Sequence, residues 1–170
     1  MISRLPITRA FTQAFDVRGF HHLFRGRDAP IWATEMPAVN GAFTADALAR
    51  LYGALANGGS DGATRLLSDQ RVDALGRVQT RETDGVLGIR MRWRLGYHQA
   101  LGIGREAPRA FGHYGYGGSG AWADPDSGIS LGFVTNTMGR STTPLADWRL
   151  FRLSALARKC AASARVPGTF

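Results

Sequence analysis

Cysteine and lysine are almost missing from this 170-residue chain: Cys160 is the only cysteine and Lys159 the only lysine. A single thiol excludes an intrachain disulfide and a cysteine zinc cluster, and it leaves the redox compartment unreadable. No apolar run approaches the roughly 20 residues of a membrane-spanning helix, and the first thirty residues carry no secretory apolar core. We therefore expect a soluble chain without a membrane span, cytoplasmic if translation begins at Met1. His21 and His22 stand side by side with no partner at metal-ligand spacing, so they read as surface histidines; neither a metal nor a cofactor is expected. Acidic side chains are in deficit, 13 against 21 basic ones, for a formal charge of +8. The basic residues are scattered singles, and the densest set, "RMRWR" at 90–94, alternates as the wet face of a strand would. No nucleic-acid partner is expected; such binding would have to weaken steeply with salt.

The composition that remains, 44% hydrophobic, is enough for one globular domain with a real core. Residues 1–36 mix Arg, Phe and His without a period, broken by Pro6 and Pro30, and no element is assigned there. From Thr44 the pattern sharpens. Thr44 can cap a helix whose Leu48, Leu51, Tyr52 and Leu55 fall at i, i+3, i+4 and i+7, with Gly58-Gly59 as the stop. Ser68 can cap a shorter helix carrying Val72 and Leu75. "GVLGIRMRWRLGYHQ" alternates Ile89, Met91, Trp93 and Leu95 with arginine, which predicts a half-buried strand. Two more strands are predicted, around Phe111–Ala123 and over Ile129–Asn136, joined by the turn "DPDSG". A helix from Pro144 to about Ala161 closes the chain, with Trp148, Phe151, Leu153 and Leu156 among its apolar positions. The fold class is α+β, an antiparallel sheet covered by helices.

The stretch "FGHYGYGGSG" at 111–120 is unusually rich in glycine. Missing side chains along a strand edge let a ligand or another backbone approach and leave N–H groups to face a developing negative charge. The plainer alternative is a bulge with His113 as a polar residue at a strand end. A phosphate-gripping loop fits poorly, because a turn and not a helix follows. Ser119 in "GGSG" lacks the helix that a nucleophile elbow requires and reads as a structural or substrate-edge residue.

Three segments in order, "PAVNGAFTADALARLYGALANGG", "RLLSDQRVDAL" and "FGHYGYGGSGAWADPDSGISLGFVTNTM", resemble the C-terminal half of the β-lactamase-related serine hydrolases, which include class C β-lactamases, penicillin-binding proteins and esterases. The resemblance runs from about Met36 to Met138 and divides the chain into residues 1–36, poorly defined, and 37–165, the C-terminal part of such a domain. It implies a partial β-lactamase/transpeptidase-like fold. His113 stands where the family's third motif has Lys or His, Tyr114 where it has Thr or Gly, and Gly115 where it has Gly. By this resemblance the Tyr116 N–H donates to the oxyanion hole and His113 titrates near neutrality in place of a lysine. Gly115 keeps the edge open to substrate, and Gly117 lies beside it. Tyr114 departs from the small residues usual there, which bears on substrate access. The implied substrate is a small ester, β-lactam or peptide.

The family's Ser-x-x-Lys has no counterpart: Leu156 stands three residues before Lys159, and Ser-x-Asn occurs nowhere in the chain. The chain therefore reads as a fragment of a serine hydrolase, inactive alone, whose partner is a missing N-terminal half. The alternative is a non-catalytic remnant or ligand-binding module.

Overall fold

The structure, a computed structural model, describes residues 20–38, 40–136, 142–143 and 146–164. Its contacts divide the described residues into two units. The first comprises residues up to Phe43 together with Thr83–Arg90; the second comprises Thr44–Glu82 and the residues from Met91 onward.

The first unit holds two 3₁₀ turns, Phe20–Phe24 and Pro30–Ala33. The Asn40 amide of the Pro-x-x-Asn-Gly segment donates to the Ile31 carbonyl at 2.9 Å and also to that of Thr34. In the 83–90 stretch, Asp84 Oδ1 accepts the Val86 and Leu87 amides at 2.9 and 2.7 Å.

In the second unit both predicted caps form. Thr44 Oγ1 accepts the Ala47 amide at 3.0 Å and starts helix α1, Ala45–Ala56. Tyr52 and Leu55 are buried along α1, while Leu51 is exposed. Gly58 and Gly59 at φ 76° and 82° take the left-handed turn that ends it. Ser68 Oγ accepts the Arg71 amide at 3.3 Å and starts helix α2, Asp69–Leu75.

Four strands form one antiparallel sheet in the order β1 (His98–Gln99), β2 (Phe111–Tyr114), β3 (Gly120–Asp124), β4 (Ile129–Phe133). A two-residue pair, β5 (Thr142–Thr143) with β6 (Ala146–Asp147), precedes helix α3, Trp148–Ala164. Strand alternation splits the core between two faces. Phe111, Ala121 and Ala123 pack with Tyr52, Leu55 and Leu75 of α1 and α2. Tyr114 and Trp122 pack with Leu150 of α3 and with Ala100, Ile103, Ala107 and Ala110. This is the α+β class with helices on an antiparallel sheet.

Several expected elements differ. The strand predicted through Ile89, Met91, Trp93 and Leu95 does not form; only His98–Gln99 pair. Gly88, Arg92 and Gly96 sit at φ 70°, 51° and 75°, and three left-handed positions cannot belong to one extended run. The arginine alternation also breaks, since Arg94 is 4% exposed and donates to the Pro108 carbonyl. The single strand expected over Phe111–Ala123 is two, β2 and β3, joined by a turn at 115–119. Consequently β2 does not lie beside the strand carrying "SLGF"; β3 separates them. Asp124 and Gly128 close the expected DPDSG turn, the Gly128 amide donating to the Asp124 carbonyl at 2.9 Å. The closing helix begins at Trp148, whose side chain is 45% exposed and no part of the core. Pro144 lies outside the described residues.

Candidate active site

β2 carries the glycine-rich stretch into the sheet and ends at an unusual edge. His113 lies opposite Ala121 of β3, and its side chain is exposed while Phe111, Gly112 and Tyr114 are buried. On the other side β1 pairs only with Gly112 and Phe111. Beyond them the edge is taken by a side chain: His98 Nε2 accepts the Tyr114 amide at 3.0 Å. His98 Nδ1 lies 2.8 Å from the Gln99 carbonyl, so the acceptor role of Nε2 places the ring proton on Nδ1, which donates to that carbonyl.

His98 is 1% exposed. Burial drives its pKa down to about 4, against the Gln99 hydrogen bond; positive charge on His113 and Arg94 pushes the same way. It is therefore neutral at pH 7. The His113 ring lies 5.4 Å from that of His98. Desolvation by its surroundings also lowers the His113 pKa below the usual imidazole value. Tyr52 is buried in the core cluster that holds Phe111 of β2, and burial raises its pKa above the ordinary phenol range.

After Tyr114 the chain turns. The Gly115 amide donates to the Ser119 carbonyl at 2.8 Å, and the Gly118 amide donates to the Gly115 carbonyl at 2.9 Å. Tyr116 and Gly117 form the tip, and Tyr116 is exposed. Gly118, at φ 96°, has the backbone that only glycine takes without strain. Ser119 Oγ accepts the Thr135 amide at 3.0 Å and donates to the Thr135 carbonyl at 3.3 Å. It ties the turn to the segment after β4, and a strand follows it, not a helix.

The expected site residues thus fall into two groups. His113, Gly115, Tyr116 and Gly117 follow one another along the end of β2 and its turn. The Tyr114 side chain does not join them: it is 5% exposed, packs edge-on against Phe151, and its hydroxyl donates to the Leu101 carbonyl at 3.2 Å. Alternation explains this, since neighbours on a strand point to opposite faces. His98 and Tyr52 were not found by sequence reasoning. In sequence Tyr52 is an apolar position of its helix and fails as the start of the family's Tyr-x-Asn motif because Ala54 stands two residues on, and His98 falls in a stretch with strand alternation and no motif to mark it.

This geometry has relatives. The family described as Beta-lactamase matches residues 8–156. The chain belongs to the β-lactamase family. Within that family, it is 41% identical over 143 residues to the Esterase/beta-lactamase LipL of Mycobacterium tuberculosis (strain ATCC 25618 / H37Rv), a match that covers 83% of this chain and 33% of LipL. Among solved structures it resembles a family VIII carboxylesterase, with a TM-score of 0.60 and 37% identity over 67% of this chain and 31% of that one. It also resembles a penicillin-binding protein homologue from Caulobacter crescentus, with a TM-score of 0.58, 38% identity and the same coverage. The chain spans about a third of the length of these β-lactamase-family relatives. No helix among the described residues is long and apolar enough to cross a membrane.

Proposed function

We propose that this chain supplies the third-motif strand and oxyanion edge of a serine hydrolase that cleaves a small ester, β-lactam or peptide bond through an acyl-serine intermediate. The reading is supported by one observation: in a β-lactamase-family chain, an exposed histidine stands next to the end of β2 and a glycine-rich turn begins after Tyr114; by resemblance this is the position of the family's third-motif Lys or His. In this reading the Tyr116 N–H donates to the oxyanion of the tetrahedral intermediate, where a preorganised backbone donor is worth most. His113, neutral at pH 7 because its pKa is lowered, accepts and returns a proton. Gly115 and Gly117 let the substrate carbonyl approach the main chain; Tyr114 contributes only its backbone. The nucleophile and its lysine come from chain outside these 170 residues, since no Ser-x-x-Lys is present here.

The test is ester and β-lactam hydrolysis by the purified chain and by a version extended upstream to include a Ser-x-x-Lys segment. The chain alone should turn over weakly or not at all, because nucleophile and oxyanion donors act together. In the extended enzyme, His113→Ala should lower kcat/KM roughly 10²-fold or more. In the chain itself the same change at an exposed side chain should alter folding free energy by no more than about 0.5 kcal/mol. Stoichiometric acylation of the isolated chain by a fluorescent penicillin, mapped to any of its serines, would overturn the reading. So would a large stability loss in His113→Ala with activity intact.

A further inference from the structure

We infer that His98 is a positioning residue for the edge formed by His113–Gly117: its imidazole replaces the strand that β1 is too short to provide, and holds both the Tyr114 amide and the ring of His113 in place. The inference rests on the proposed role of that edge.

The register shows why a side chain is needed. His98 faces Gly112 and Gln99 faces Phe111, so an antiparallel continuation would set residue 96 opposite Tyr114. Residue 96 is glycine at φ 75°, which turns the chain out of the extended conformation. Tyr97 beside it is committed elsewhere, its ring 5.8 Å from Tyr52 and 5.1 Å from Phe111. The Tyr114 amide would therefore lose its strand partner at a buried position, and a buried N–H without an acceptor is costly. His98 Nε2 takes it at 3.0 Å.

The imidazole is itself fixed from the other end, Nδ1–H to the Gln99 carbonyl at 2.8 Å, with Trp93 edge-on at 5.9 Å and Tyr114 edge-on at 5.3 Å. Two hydrogen bonds and two rings leave one orientation for it. That orientation sets the ring 5.4 Å from that of His113, the two planes tilted by 48°. Only the neutral ring can accept at Nε2, and burial keeps it neutral down to about pH 4. Tyr114 is two residues before Tyr116, so slack at this amide passes straight into the turn that carries the proposed oxyanion donor.

Two substitutions separate the hydrogen bond from the ring. His98→Phe keeps the bulk and loses the acceptor; His98→Gln can present Oε1 near the Nε2 position. In the ¹⁵N-labelled chain we expect a through-hydrogen-bond coupling between the Tyr114 amide nitrogen and His98 Nε2. Tyr114 amide exchange should rise roughly tenfold or more in His98→Phe and stay near wild type in His98→Gln. For catalysis, the chain is fused to the part of the family VIII carboxylesterase that it does not cover. There His98→Phe should lower kcat for an ester roughly tenfold or more, with KM little changed, because misplacement acts on the transition state. His98→Gln should recover most of that loss.

Absence of the coupling in the wild-type chain overturns the inference even if a variant fails to fold, as does unchanged Tyr114 exchange in a folded His98→Phe. If His113→Ala damages the fusion and His98→Phe leaves kcat intact, the positioning role falls while the catalytic edge stands. If His113→Ala is also silent, the catalytic reading of the edge falls and takes this role with it.

Discussion

The indole of Trp122 on β3 donates to Ser154 Oγ on α3 at 2.8 Å, and Ser154 Oγ in turn donates to the Leu150 carbonyl at 2.7 Å, all three residues being fully buried. A large ring and a small hydroxyl thus lock the terminal helix to the middle of the sheet. Ser154→Ala removes the acceptor and strands a buried N–H, which costs about 1–3 kcal/mol. Urea unfolding of the chain should show this as a lower midpoint with an unchanged m-value; a midpoint within error of wild type would mean that the indole finds another acceptor.

Gly132 of β4 lies beneath α1. A Cβ there would stand 2.5 Å from the Ala45 carbonyl oxygen and 2.9 Å from the Ala49 nitrogen, both backbone atoms that cannot step aside. Ser130, two residues earlier, donates to the Ala49 carbonyl at 2.8 Å and holds the helix at this distance. Gly132→Ala should destabilise the chain by about 1–3 kcal/mol or more. Calorimetry should show a lower Tm, and Ser130→Ala in the same background should restore part of it by releasing the helix.

Two arginines whose ion pairs are of similar length should behave differently. Arg158 Nη1 meets Asp124 Oδ2 at 2.8 Å, and the Asp124 side chain is buried, also receiving the Ser127 hydroxyl. Arg109 meets Asp73 at 2.8 Å and Asp126 at 3.0 Å, with all three side chains partly exposed. Asp124→Ala leaves a largely buried guanidinium without its counter-charge and should cost about 3–5 kcal/mol. Arg109→Ala should cost no more than about 1 kcal/mol per pair, and less in high salt. Denaturant titrations at low and high salt check both.

Acid should weaken this fold through its histidines. His98 has a folded pKa of about 4, below the unfolded value of 6.5, so between these values the unfolded chain binds the extra proton. The stability that neutral His98 contributes is complete above about pH 6.5 and is lost as pH falls towards 4, to a total of about 3 kcal/mol. His113, also lowered, acts in the same direction. Unfolding midpoints at pH 7 and pH 4.5 should differ strongly in wild type and much less in His98→Gln; equal pH dependence in the two would refute this assignment.

Caps, turns and glycine positions were legible from residues alone because their physics is local. Thr44 and Ser68 cap their helices through amides three residues away, and the DPDSG turn closes within five residues. The order of the motifs points, by resemblance alone, to His113 and its glycine neighbours as the proposed edge, since a motif is a property of the chain. What alternates in sequence need not extend in space, however. Ile89, Met91, Trp93 and Leu95 have the period of a strand, yet left-handed backbone at Gly88, Arg92 and Gly96 breaks the run into turns. The glycines of 115–118 looked like strand edge and are instead the reversal between β2 and β3. Above all, the partner of the Tyr114 amide is an imidazole 16 residues away, reached only because β1 stops short of it. Local spacing determines which backbone groups begin a helix or close a turn; only the packed sheet decides which of them still need a partner, and which side chain is near enough to be it.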